Sequence, residues 1–472
     1  MKVKELEGLN RIHLMGIGGA GMSSLARLLS SMGYCVSGCD LARTSYLEGL
    51  ESQGIECLLG HSSAHLKQFS PQLLVYSSAV PRDHEELVAA SEQQIPIAGR
   101  GRALSWLFNA ADGIGVAGAH GKTTTSSMIA LLLQRAGLSP TLAIGAEVCD
   151  LGTNAALGEG RLFVAELDES DGSFEFFHPS VTVVTNVDWD HVNYFSSKEQ
   201  VIEAFTRFVK GRKSGSPLIV CAEDEGVQSV LTRLPSASAS EVIRCGWGKA
   251  WEWGAFDVEH LPGGGMLCRV CHQGQDLGRL RLAVSGEHNV LNALNACAVG
   301  AYLGVSFERA ASALAGFKGA RHRLQNLGQR DGVEVFDDYA HHPTEIEASL
   351  SALRGAYPGR RIIAVFQPHR YTRTAAFRDA LALALEMADV VLLLPVYSAG
   401  EAPITGATSE AILERMKCPK ERFLHCDEEA VCKRLESLLR EGDLLLTLGA
   451  GSIAHLGPRF LAGSAESGAS CE

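Results

Sequence analysis

Residues 115–125, Gly-Val-Ala-Gly-Ala-His-Gly-Lys-Thr-Thr-Thr, have the types and the spacing needed to hold a nucleoside triphosphate. The glycines allow a tight turn whose backbone N–H groups approach phosphate oxygens at the start of a helix. Lys122 can reach the outer phosphates, and the hydroxyl of Thr123 or Thr124 can ligate Mg²⁺. The residues predicted to contact the triphosphate in this loop are Gly118, Ala119, His120, Gly121, Lys122, Thr123 and Thr124.

The loop departs from the common P-loop pattern at one position. That pattern has a glycine at position 116, where this chain has Val116. The segment is therefore interpreted as a variant with a shorter Gly-x-x-Gly-Lys-Thr core. The alternative is a glycine-rich turn that only joins a strand to a helix.

A second glycine-rich loop follows an apolar strand near the start of the chain. Gly16, Gly18 and Gly21 are in the register of the dinucleotide fingerprint, and Asp40 follows about 20 residues beyond the loop. The pattern predicts a diphosphate at a helix N-terminus and a carboxylate for a sugar or base. NAD and a UDP-sugar carry the same diphosphate, so the glycines leave both ligands open. The turn after Tyr76 is a second candidate to face the diphosphate.

Two strands downstream of the phosphate loop end in acidic turns. Residues 161–165 are followed by Glu166, and residues 181–185 by a segment that ends in Asp190 and His191. Ligands of open sheets collect at the carboxyl ends of the strands. We therefore expect Glu166 and His191 to converge with Thr123 on a metal ion. Solvated acidic turns are the alternative.

The last third of the chain carries basic and titratable groups after its predicted strands. Strands at 333–337, 361–367, 390–395 and 443–448 alternate with helices. The groups that follow them suggest a pocket for carboxylates and phosphates, with a solvated surface as the alternative. Upstream, residues 286–292 begin a helix whose polar groups can contact a nucleobase edge, although alone they indicate only a helix start.

These elements predict an α/β protein of three domains. A Rossmann-like domain occupies residues 1–108, a central P-loop-type ATPase-like domain residues 109–316, and a doubly wound α/β domain residues 317–472. A length of 472 residues agrees with roughly three domains on ordinary domain sizes.

The composition predicts a cytoplasmic protein with small-molecule partners. A net charge of −12 argues against general nucleic-acid affinity, and no apolar run approaches the length of a membrane span. The first ten residues contain no apolar signal core. The 13 cysteines are scattered, which is typical of reduced thiols. Cys268, Cys271 and His272 match the spacing of c-type haem attachment, but the alternation around them is typical of a hairpin strand.

Taken together, the motifs resemble the Mur ligase family over nearly the whole chain. The most specific segments are residues 15–23, 118–125, 168–171, 338–345, 366–373 and 396–403. The resemblance implies that the first domain binds UDP-N-acetylmuramate rather than NAD. It implies that the central domain binds ATP and Mg²⁺, and that the third domain helps to bind L-alanine. The implied assembly is a monomer or a homodimer.

The resemblance also implies a reaction and residue roles. The lactyl carboxylate of the sugar is phosphorylated by ATP, and the amine of L-alanine then displaces phosphate from the acyl phosphate. The implied UDP-sugar positions are Gly16, Gly18, Gly19, Gly21, Asp40, Ser77 and Arg100. The implied adenine positions are His288, Asn289 and Asn292. The implied catalytic positions are Lys122, Glu166, His191, Arg323, Asp338, His341, Arg370 and Arg373, of which Arg323 is on the phosphate side. The implied metal ligands are Thr123, Glu166 and His191.

Some positions depart from the family pattern. Ala119, His322 and Asn193 stand where Thr or Ser, Arg and Asp are usual. The carbamylated lysine of several Mur ligases has no clear counterpart. A catalytically silent sensor of the nucleotide sugar is a second hypothesis, which Lys122, Glu166 and His191 disfavour. A nicotinamide-dependent dehydrogenase is a third, which the second nucleotide loop disfavours.

Overall fold

The computed structural model describes residues 3–236, 241–418, 421–424 and 427–463. Their strands form three sheets that follow one another along the chain, with helices on the sheet faces. The α/β class predicted from the sequence is therefore confirmed. None of the helices in these ranges combines the length and the apolar composition needed to cross a bilayer.

The first sheet is parallel, with the strand order β3-β2-β1-β4-β5 in the described residues. Its strands are β1 Arg11–Met15, β2 Cys35–Asp40, β3 Glu56–Leu59, β4 Leu73–Tyr76 and β5 Ile97–Gly99. Its helices are α1 Ala20–Ser31, α2 Ser45–Glu51, α3 Ala64–Phe69, α4 Glu85–Glu92 and α5 Arg100–Asn109. The strand order reverses between β1 and β4, and open sheets bind ligands at such a switch point. The first glycine-rich loop and Ser77 follow these two strands.

The second sheet has the order β15-β14-β13-β12-β11-β10-β6-β9-β7-β8 across the described residues. Its strands are β6 Asp112–Ala117, β7 Thr141–Val148, β8 Thr153–Ala156, β9 Leu162–Glu166, β10 Val181–Val184, β11 Leu218–Cys221, β12 Val242–Trp247, β13 Trp253–His260, β14 Met266–His272 and β15 Gln275–Leu282. Its helices are α6 Lys122–Arg135, α7 Lys198–Lys210, α8 Glu225–Leu231, α9 Glu287–Tyr302 and α10 Phe307–Leu314. Because β9, β6 and β10 are parallel neighbours, their carboxyl ends meet at one edge. Cys268 and Cys271 are buried in antiparallel β14, as the hairpin interpretation predicts.

The third sheet has the order β16-β17-β21-β18-β19-β20 within the described ranges. Its strands are β16 Gln325–Arg330, β17 Val333–Asp338, β18 Ile362–Phe366, β19 Val390–Leu393, β20 Glu421–Leu424 and β21 Leu444–Leu448. Its helices are α11 Pro343–Ala356, α12 Tyr371–Leu385, α13 Ser409–Arg415, α14 Glu428–Leu438 and α15 Leu456–Ala462. The strands pair in parallel apart from β16, which is antiparallel to β17. Apolar clusters cover both faces of this sheet.

Candidate active site

The phosphate loop connects β6 to α6 and has a backbone that only glycine accommodates at two points. Gly118 has φ +142°, and a Cβ there would lie 2.0 Å from Thr185 Oγ1. Gly121 has φ +78°, and its Cβ would lie 2.9 Å from Asn292 Oδ1. Gly121 is also the residue that precedes α6, where it offers no side chain to cap the first turn. The helix start is therefore suited to bind an anion.

Lys122 is held by its own loop and by an acidic neighbour. Its Nζ donates to the carbonyl oxygens of Gly118 and Ala119 at 2.5 and 3.1 Å, and lies 2.9 Å from the carboxylate of Glu169. Burial alone would lower the pKa of Lys122, but Glu169 and the nearby carboxylates Asp168 and Glu166 raise it above its ordinary value. The ammonium is therefore charged at neutral pH, and a triphosphate must compete with Glu169 for it.

Thr123 and Glu166 lie together, as the strand order predicts. Thr123 Oγ1 donates to Glu166 Oε1 at 3.0 Å, and the backbone N–H of Gly145 donates to Oε2 at 2.8 Å. His191, the third predicted metal ligand, has its Nε2 3.3 Å from Glu169 Oε1 instead. Its backbone is in the left-handed region, with φ +51°. The structure thus brings two of the three predicted ligands into direct contact.

His120 joins the phosphate loop to the third sheet. Its Nδ1 lies 3.3 Å from Glu345 Oε1 and its Nε2 3.3 Å from Asp188 Oδ2. Desolvation would lower its pKa, but the two carboxylates raise the pKa of His120 to about 9. Glu345 also accepts the backbone N–H groups of His341 and His342 at 3.1 and 3.3 Å, which closes a capping box at the start of α11.

The third sheet brings basic and imidazole side chains to the same region. Arg373 forms a bidentate ion pair with Asp190 and donates from Nη1 to His369 Nδ1 at 3.2 Å. Arg370 has φ +70° and lies 3.4 Å from Glu401. Burial, together with the charge of Arg373, lowers the pKa of His341 to about 4. His341 is therefore neutral at physiological pH.

Arg323 lies between the second and third sheets. Its Nη2 donates to Thr123 Oγ1 at 3.3 Å, its Nη1 lies 3.8 Å from Glu345 Oε1, and its guanidinium is 5.2 Å from the ring centre of Tyr339. A cation in this position faces the hydroxyl that is predicted to bind the metal and the phosphates.

The glycine-rich loop of the first sheet is held by two polar side chains of its own domain. Gly18 N–H donates to Asp40 Oδ2 at 2.8 Å, and Thr44 Oγ1 donates to the carbonyl of Gly18 at 2.8 Å. Asp40 therefore fixes the conformation of the loop. Arg100, at the start of α5, lies 3.2 Å from Asp168 and so connects the first sheet to the acidic turn after β9.

The predicted adenine-side residues lie at the start of α9 beside the phosphate loop. Asn292 accepts a hydrogen bond from Thr125 Oγ1 at 3.0 Å and donates to Asn289 Oδ1 at 3.2 Å. Burial lowers the pKa of His288 to about 4, so that its ring is neutral. These contacts place α9 directly against α6.

Two cavities meet at the phosphate loop. The larger, about 930 Å³, is lined by residues of all three sheets. The predicted site residues in its wall are Gly19, Gly21, Ser77, Arg100, Ala119, Lys122, Thr123, Glu166, His191, Arg323, His341, Arg370 and Arg373. The smaller, about 330 Å³, has His120, Gly121, Thr124, His288, Asn289, Asn292, Arg323 and Asp338 in its wall. Gly16, Gly18, Asp40 and Gly118 line neither of these two cavities.

Asp338, one of the implied catalytic positions, thus faces a different cavity from His341, Arg370 and Arg373. It accepts a hydrogen bond from Ser349 Oγ at 2.5 Å and from the backbone N–H of Ala340 at 3.0 Å. Burial raises the pKa of Asp338 to about 6, against the opposing effects of Ser349 and Arg323. Its carboxylate faces the smaller cavity, whereas His341, Arg370 and Arg373 line the larger one.

Several residues of the site were not singled out from the sequence. Glu169, Asp188, Asp190 and Glu345 each contact a predicted residue. All four lie within or next to segments that carried the motifs, in acidic turns after strands or in the first turn of a helix. The signal available was their position at strand and helix ends, but their partners lie far along the chain.

The sequence models of one protein family match most of the chain. "Mur ligase family, catalytic domain" matches residues 11–111, "Mur ligase middle domain" matches residues 116–300, and "Mur ligase, glutamate ligase domain" matches residues 322–451. The chain therefore belongs to the Mur ligase family.

Relatives of known name cover nearly its full length. UDP-N-acetylmuramate–L-alanine ligase of Geobacter sp. (strain M21) is 40% identical over 455 residues, which is 96% of this chain and 97% of the relative. The ligase of the same name from Saccharopolyspora erythraea is 43% identical over 458 residues, 96% of this chain and 93% of the relative.

Solved structures agree with these similarities. UDP-N-acetylmuramate-alanine ligase of Thermotoga maritima matches with a TM-score of 0.80 and 28% identity, over 96% of this chain and 98% of that one. A murein peptide ligase of Psychrobacter arcticus matches with a TM-score of 0.71 over 96% of this chain and 98% of that one. At 24% identity the second match shows a shared fold alone.

Proposed function

We propose that this chain joins L-alanine to the lactyl carboxylate of UDP-N-acetylmuramate in an ATP-dependent reaction of peptidoglycan precursor synthesis. The observation that carries the proposal is the larger cavity, in whose wall all three sheets place groups suited to different reactants. The two relatives named above carry the name of this activity over nearly the same length. An enzyme that joins three substrates needs them in one enclosed space, because proximity supplies much of the rate enhancement.

ATP is assigned to the phosphate loop and the smaller cavity. The loop contributes residues to both cavities. Lys122 and Thr123 face the larger one, whereas Gly121 and Thr124 face the smaller one. A nucleotide with its base against α9 would therefore extend its phosphates across the loop towards the larger cavity. A volume of about 330 Å³ is at the lower end of ordinary ligand pockets.

Mg²⁺ is assigned to Thr123 and Glu166. Their oxygens are 3.0 Å apart, and hydroxyl and carboxylate oxygens are the donors that this hard cation prefers. The donor set therefore fits. His191 would join it only by leaving Glu169, so its role as a ligand is the weakest of the three. Bound there, Mg²⁺ would neutralise negative charge on the outer phosphates.

UDP-N-acetylmuramate is assigned to the switch point of the first sheet. Gly19, Gly21, Ser77 and Arg100 line the larger cavity at this end. Arg100 supplies a cation for the diphosphate, and the start of α1 supplies backbone N–H groups. Asp40 would act on this ligand through Gly18, whose N–H it already holds.

L-alanine is assigned to the end of the larger cavity that the third sheet forms. Arg370 and Arg373 can pair with a carboxylate, and neutral His341 can accept a hydrogen bond from the ammonium. The amino acid would then share one cavity with Lys122 and Glu166.

The reaction then proceeds in two steps. The lactyl carboxylate oxygen attacks the γ-phosphorus, the bond to the bridging oxygen of ADP breaks, and an acyl phosphate forms. Lys122 and Arg323 balance the charge on the transferring group. The deprotonated amine of L-alanine attacks the acyl carbon, and a tetrahedral intermediate collapses with release of phosphate. Phosphorylation is needed because a carboxylate and an amine alone form only a salt.

The test is phosphate release from ATP with purified full-length protein. UDP-N-acetylmuramate and L-alanine together should give steady release, and omission of either should abolish it. A parallel reaction uses the tripeptide L-alanyl-γ-D-glutamyl-meso-diaminopimelate in place of L-alanine. Faster release with the tripeptide, or NAD binding without release, would overturn the proposal.

We also propose that one chain forms a complete catalytic unit in the cytoplasm, where ATP and nucleotide sugars are available. The lining residues assigned above come from a single chain. The monomer and a homodimer should therefore have the same specific activity. Assays across a range of enzyme concentrations, combined with sedimentation, test this point: a loss of specific activity on dissociation would contradict it.

A further inference from the structure

Four potential metal ligands are buried together in the first sheet domain, outside both cavities. His13 is in β1, Cys39 in β2, His65 in α3 and Glu86 in α4, and their ligand atoms lie within 4.8 Å of one another. We call these four residues the His13 cluster. None of them lines either cavity described above. The proposed ligase reaction makes no use of them.

The separations of Glu86 from the other three residues of the His13 cluster are those of ligands around one small ion. Glu86 Oε1 is 3.2 Å from His13 Nε2 and 3.4 Å from His65 Nδ1, and Glu86 Oε2 is 3.7 Å from Cys39 Sγ. Zinc binds nitrogen and oxygen at about 2.0–2.2 Å and sulfur at about 2.3 Å, so tetrahedral neighbours lie roughly 3.3–3.8 Å apart. Glu86 is therefore spaced from the other three residues as one ligand of such an ion, and all four ligand atoms lie within 4.8 Å of one another.

Two buried nitrogens of the cluster face the same carboxylate oxygen at ion-pair distance. His13 Nε2 and His65 Nδ1 lie 3.2 and 3.4 Å from Glu86 Oε1, but neither contact has the geometry of a well-aligned hydrogen bond. Both residues are almost fully enclosed, with 0% and 7% of their surface exposed. Buried polar atoms usually form well-aligned hydrogen bonds. A metal ion would satisfy both nitrogens at once.

The orientation of the His13 ring is fixed by contacts with residues outside the cluster. Its other nitrogen, Nδ1, forms a hydrogen bond with Ser37 Oγ at 2.9 Å, and the ring of Phe69 stacks on it at 5.1 Å. Histidines that ligate metals typically donate their second N–H to such a partner, which sets the tautomer and the ring plane. With the proton on Nδ1, the lone pair of Nε2 points into the cluster.

We propose that His13, Cys39, His65 and Glu86 bind a Zn²⁺ ion at a site separate from the reaction centre. Two imidazoles, a thiolate and a carboxylate form a donor set that zinc prefers, whereas Mg²⁺ prefers oxygens alone. Four protein ligands and a buried position are typical of a structural rather than a catalytic zinc.

The surroundings of Cys39 indicate what the ion would do. The carbonyl of Cys39 accepts the N–H groups of Gly16 and Ile17 at 2.7 and 3.1 Å. Asp40, the next residue, holds the N–H of Gly18. An ion at Cys39 would therefore brace the end of β2, to which the glycine-rich loop is attached. Half-buried His61 lies 3.0 Å from Cys39 Sγ.

The experiment uses full-length protein without a histidine tag, freed of metal by a chelator and titrated with Zn²⁺ and, separately, with Co²⁺. We expect one metal per chain by elemental analysis. Cobalt should give the thiolate-to-metal charge-transfer band and the visible spectrum of a tetrahedral site. Zinc should raise the thermal unfolding midpoint in the presence of excess Mg²⁺.

Variants separate this site from the other thiols. Cys39→Ser should abolish the charge-transfer band and weaken zinc binding at least tenfold. Cys57→Ser, in neighbouring β3 and paired in register with Gly38, should change neither. His65→Gln should weaken binding but retain the band, and it serves where Cys39→Ser does not fold. Substoichiometric binding by the wild-type chain, or a band that survives Cys39→Ser, would overturn the proposal.

Discussion

Arg373 and Asp190 form a bidentate ion pair that joins α12, beside the third sheet, to the turn after β10 of the second sheet. Nε donates to Oδ1 at 2.9 Å and Nη2 to Oδ2 at 3.1 Å, and each side chain is 5% exposed. Burial alone would raise the pKa of Asp190, but Arg373 and nearby histidines hold it well below its ordinary value. In the proposed complex, an amino-acid carboxylate would reach this guanidinium through the second N–H of Nη1, whose first faces His369 Nδ1, or by displacing Asp190.

Arg373→Lys should raise the KM for L-alanine about tenfold and leave the KM for ATP little changed. Lysine keeps the charge but loses the planar fork that can serve two carboxylates, and hydrogen bonds to charged groups contribute roughly 1.5–3 kcal/mol. The measurement is phosphate release with L-alanine varied at saturating ATP and nucleotide sugar.

Asp190→Asn is the matched control for that experiment, since it keeps the shape of the partner and removes its charge. If Arg373 binds alanine, this variant should raise the alanine KM less than Arg373→Lys does. Equal increases of the alanine KM in the two variants would mean that Arg373 only links the second and third sheets and does not bind alanine. A raised KM for ATP with an unchanged KM for alanine would contradict our assignment of ligands to the sheets.

Lys122→Ala should reduce ligation by a factor of about 10² or more and leave the binding of UDP-N-acetylmuramate intact. A charged contact to a transferring phosphoryl group contributes several kcal/mol to transition-state stabilisation. Phosphate release measures the first effect and calorimetry the second. Lys249→Ala, an exposed lysine of the second sheet domain, is the control. Turnover near that of the wild type would rule out this loop as the ATP site.

Gly18→Val should abolish UDP-N-acetylmuramate binding, and neither variant nor wild type should bind NAD. A Cβ at Gly18 would lie 2.8 Å from Thr44 Oγ1 and 3.0 Å from Asp40 Oδ2, so the side chains that hold the loop must move. At Gly19 the nearest such contact is an ordinary 3.5 Å to the carbonyl of Gly16. Gly19→Ala should therefore unfold at the wild-type temperature. Tight NAD binding by calorimetry would favour the dehydrogenase hypothesis.

The ion pairs of His120 should make stability fall on the alkaline side of neutrality. The folded pKa of about 9 exceeds the ordinary 6.5, so the contribution is complete below about pH 6.5 and is lost as the pH rises through 9. Its upper limit is roughly 3 kcal/mol. His120→Asn should flatten the dependence of the unfolding midpoint on pH between 6.5 and 9.5. Exposed His178→Asn should retain the wild-type slope, and an unchanged slope in His120→Asn would refute the prediction.

Local spacing predicted that Thr123 of the phosphate loop and Glu166 of the acidic turn lie together, as they do. The glycines around Lys122 require a loop between a strand and a helix, and the acidic turn after β9 follows a buried strand. Once β6 and β9 pair in parallel, Thr123 and Glu166 must meet. The loop and the acidic turn are both recognised from patterns of a few neighbouring residues, which is why they could be predicted from the sequence alone.

Contacts between the sheets were not predictable in the same way. His120 and Glu345 are 225 residues apart, and Arg373 and Asp190 are 183 apart. No periodicity encodes how separate sheets dock. Asp338 illustrates a different limit: successive side chains of a strand point to opposite faces. Asp337 meets Thr447 and His322, whereas Asp338 turns towards Ser349 and the smaller cavity.

Arg323 and Glu345 belong to the walls of both cavities. Charge brought to one cavity therefore changes the electrostatic environment of the other. With the ligands assigned as proposed, nucleotide binding should be thermodynamically linked to binding of the sugar and the amino acid. Such linkage is reciprocal: if ATP tightens the binding of a second substrate by some factor, that substrate tightens ATP by the same factor. Each dissociation constant measured for this chain is accordingly a property of a stated occupancy of the neighbouring cavity.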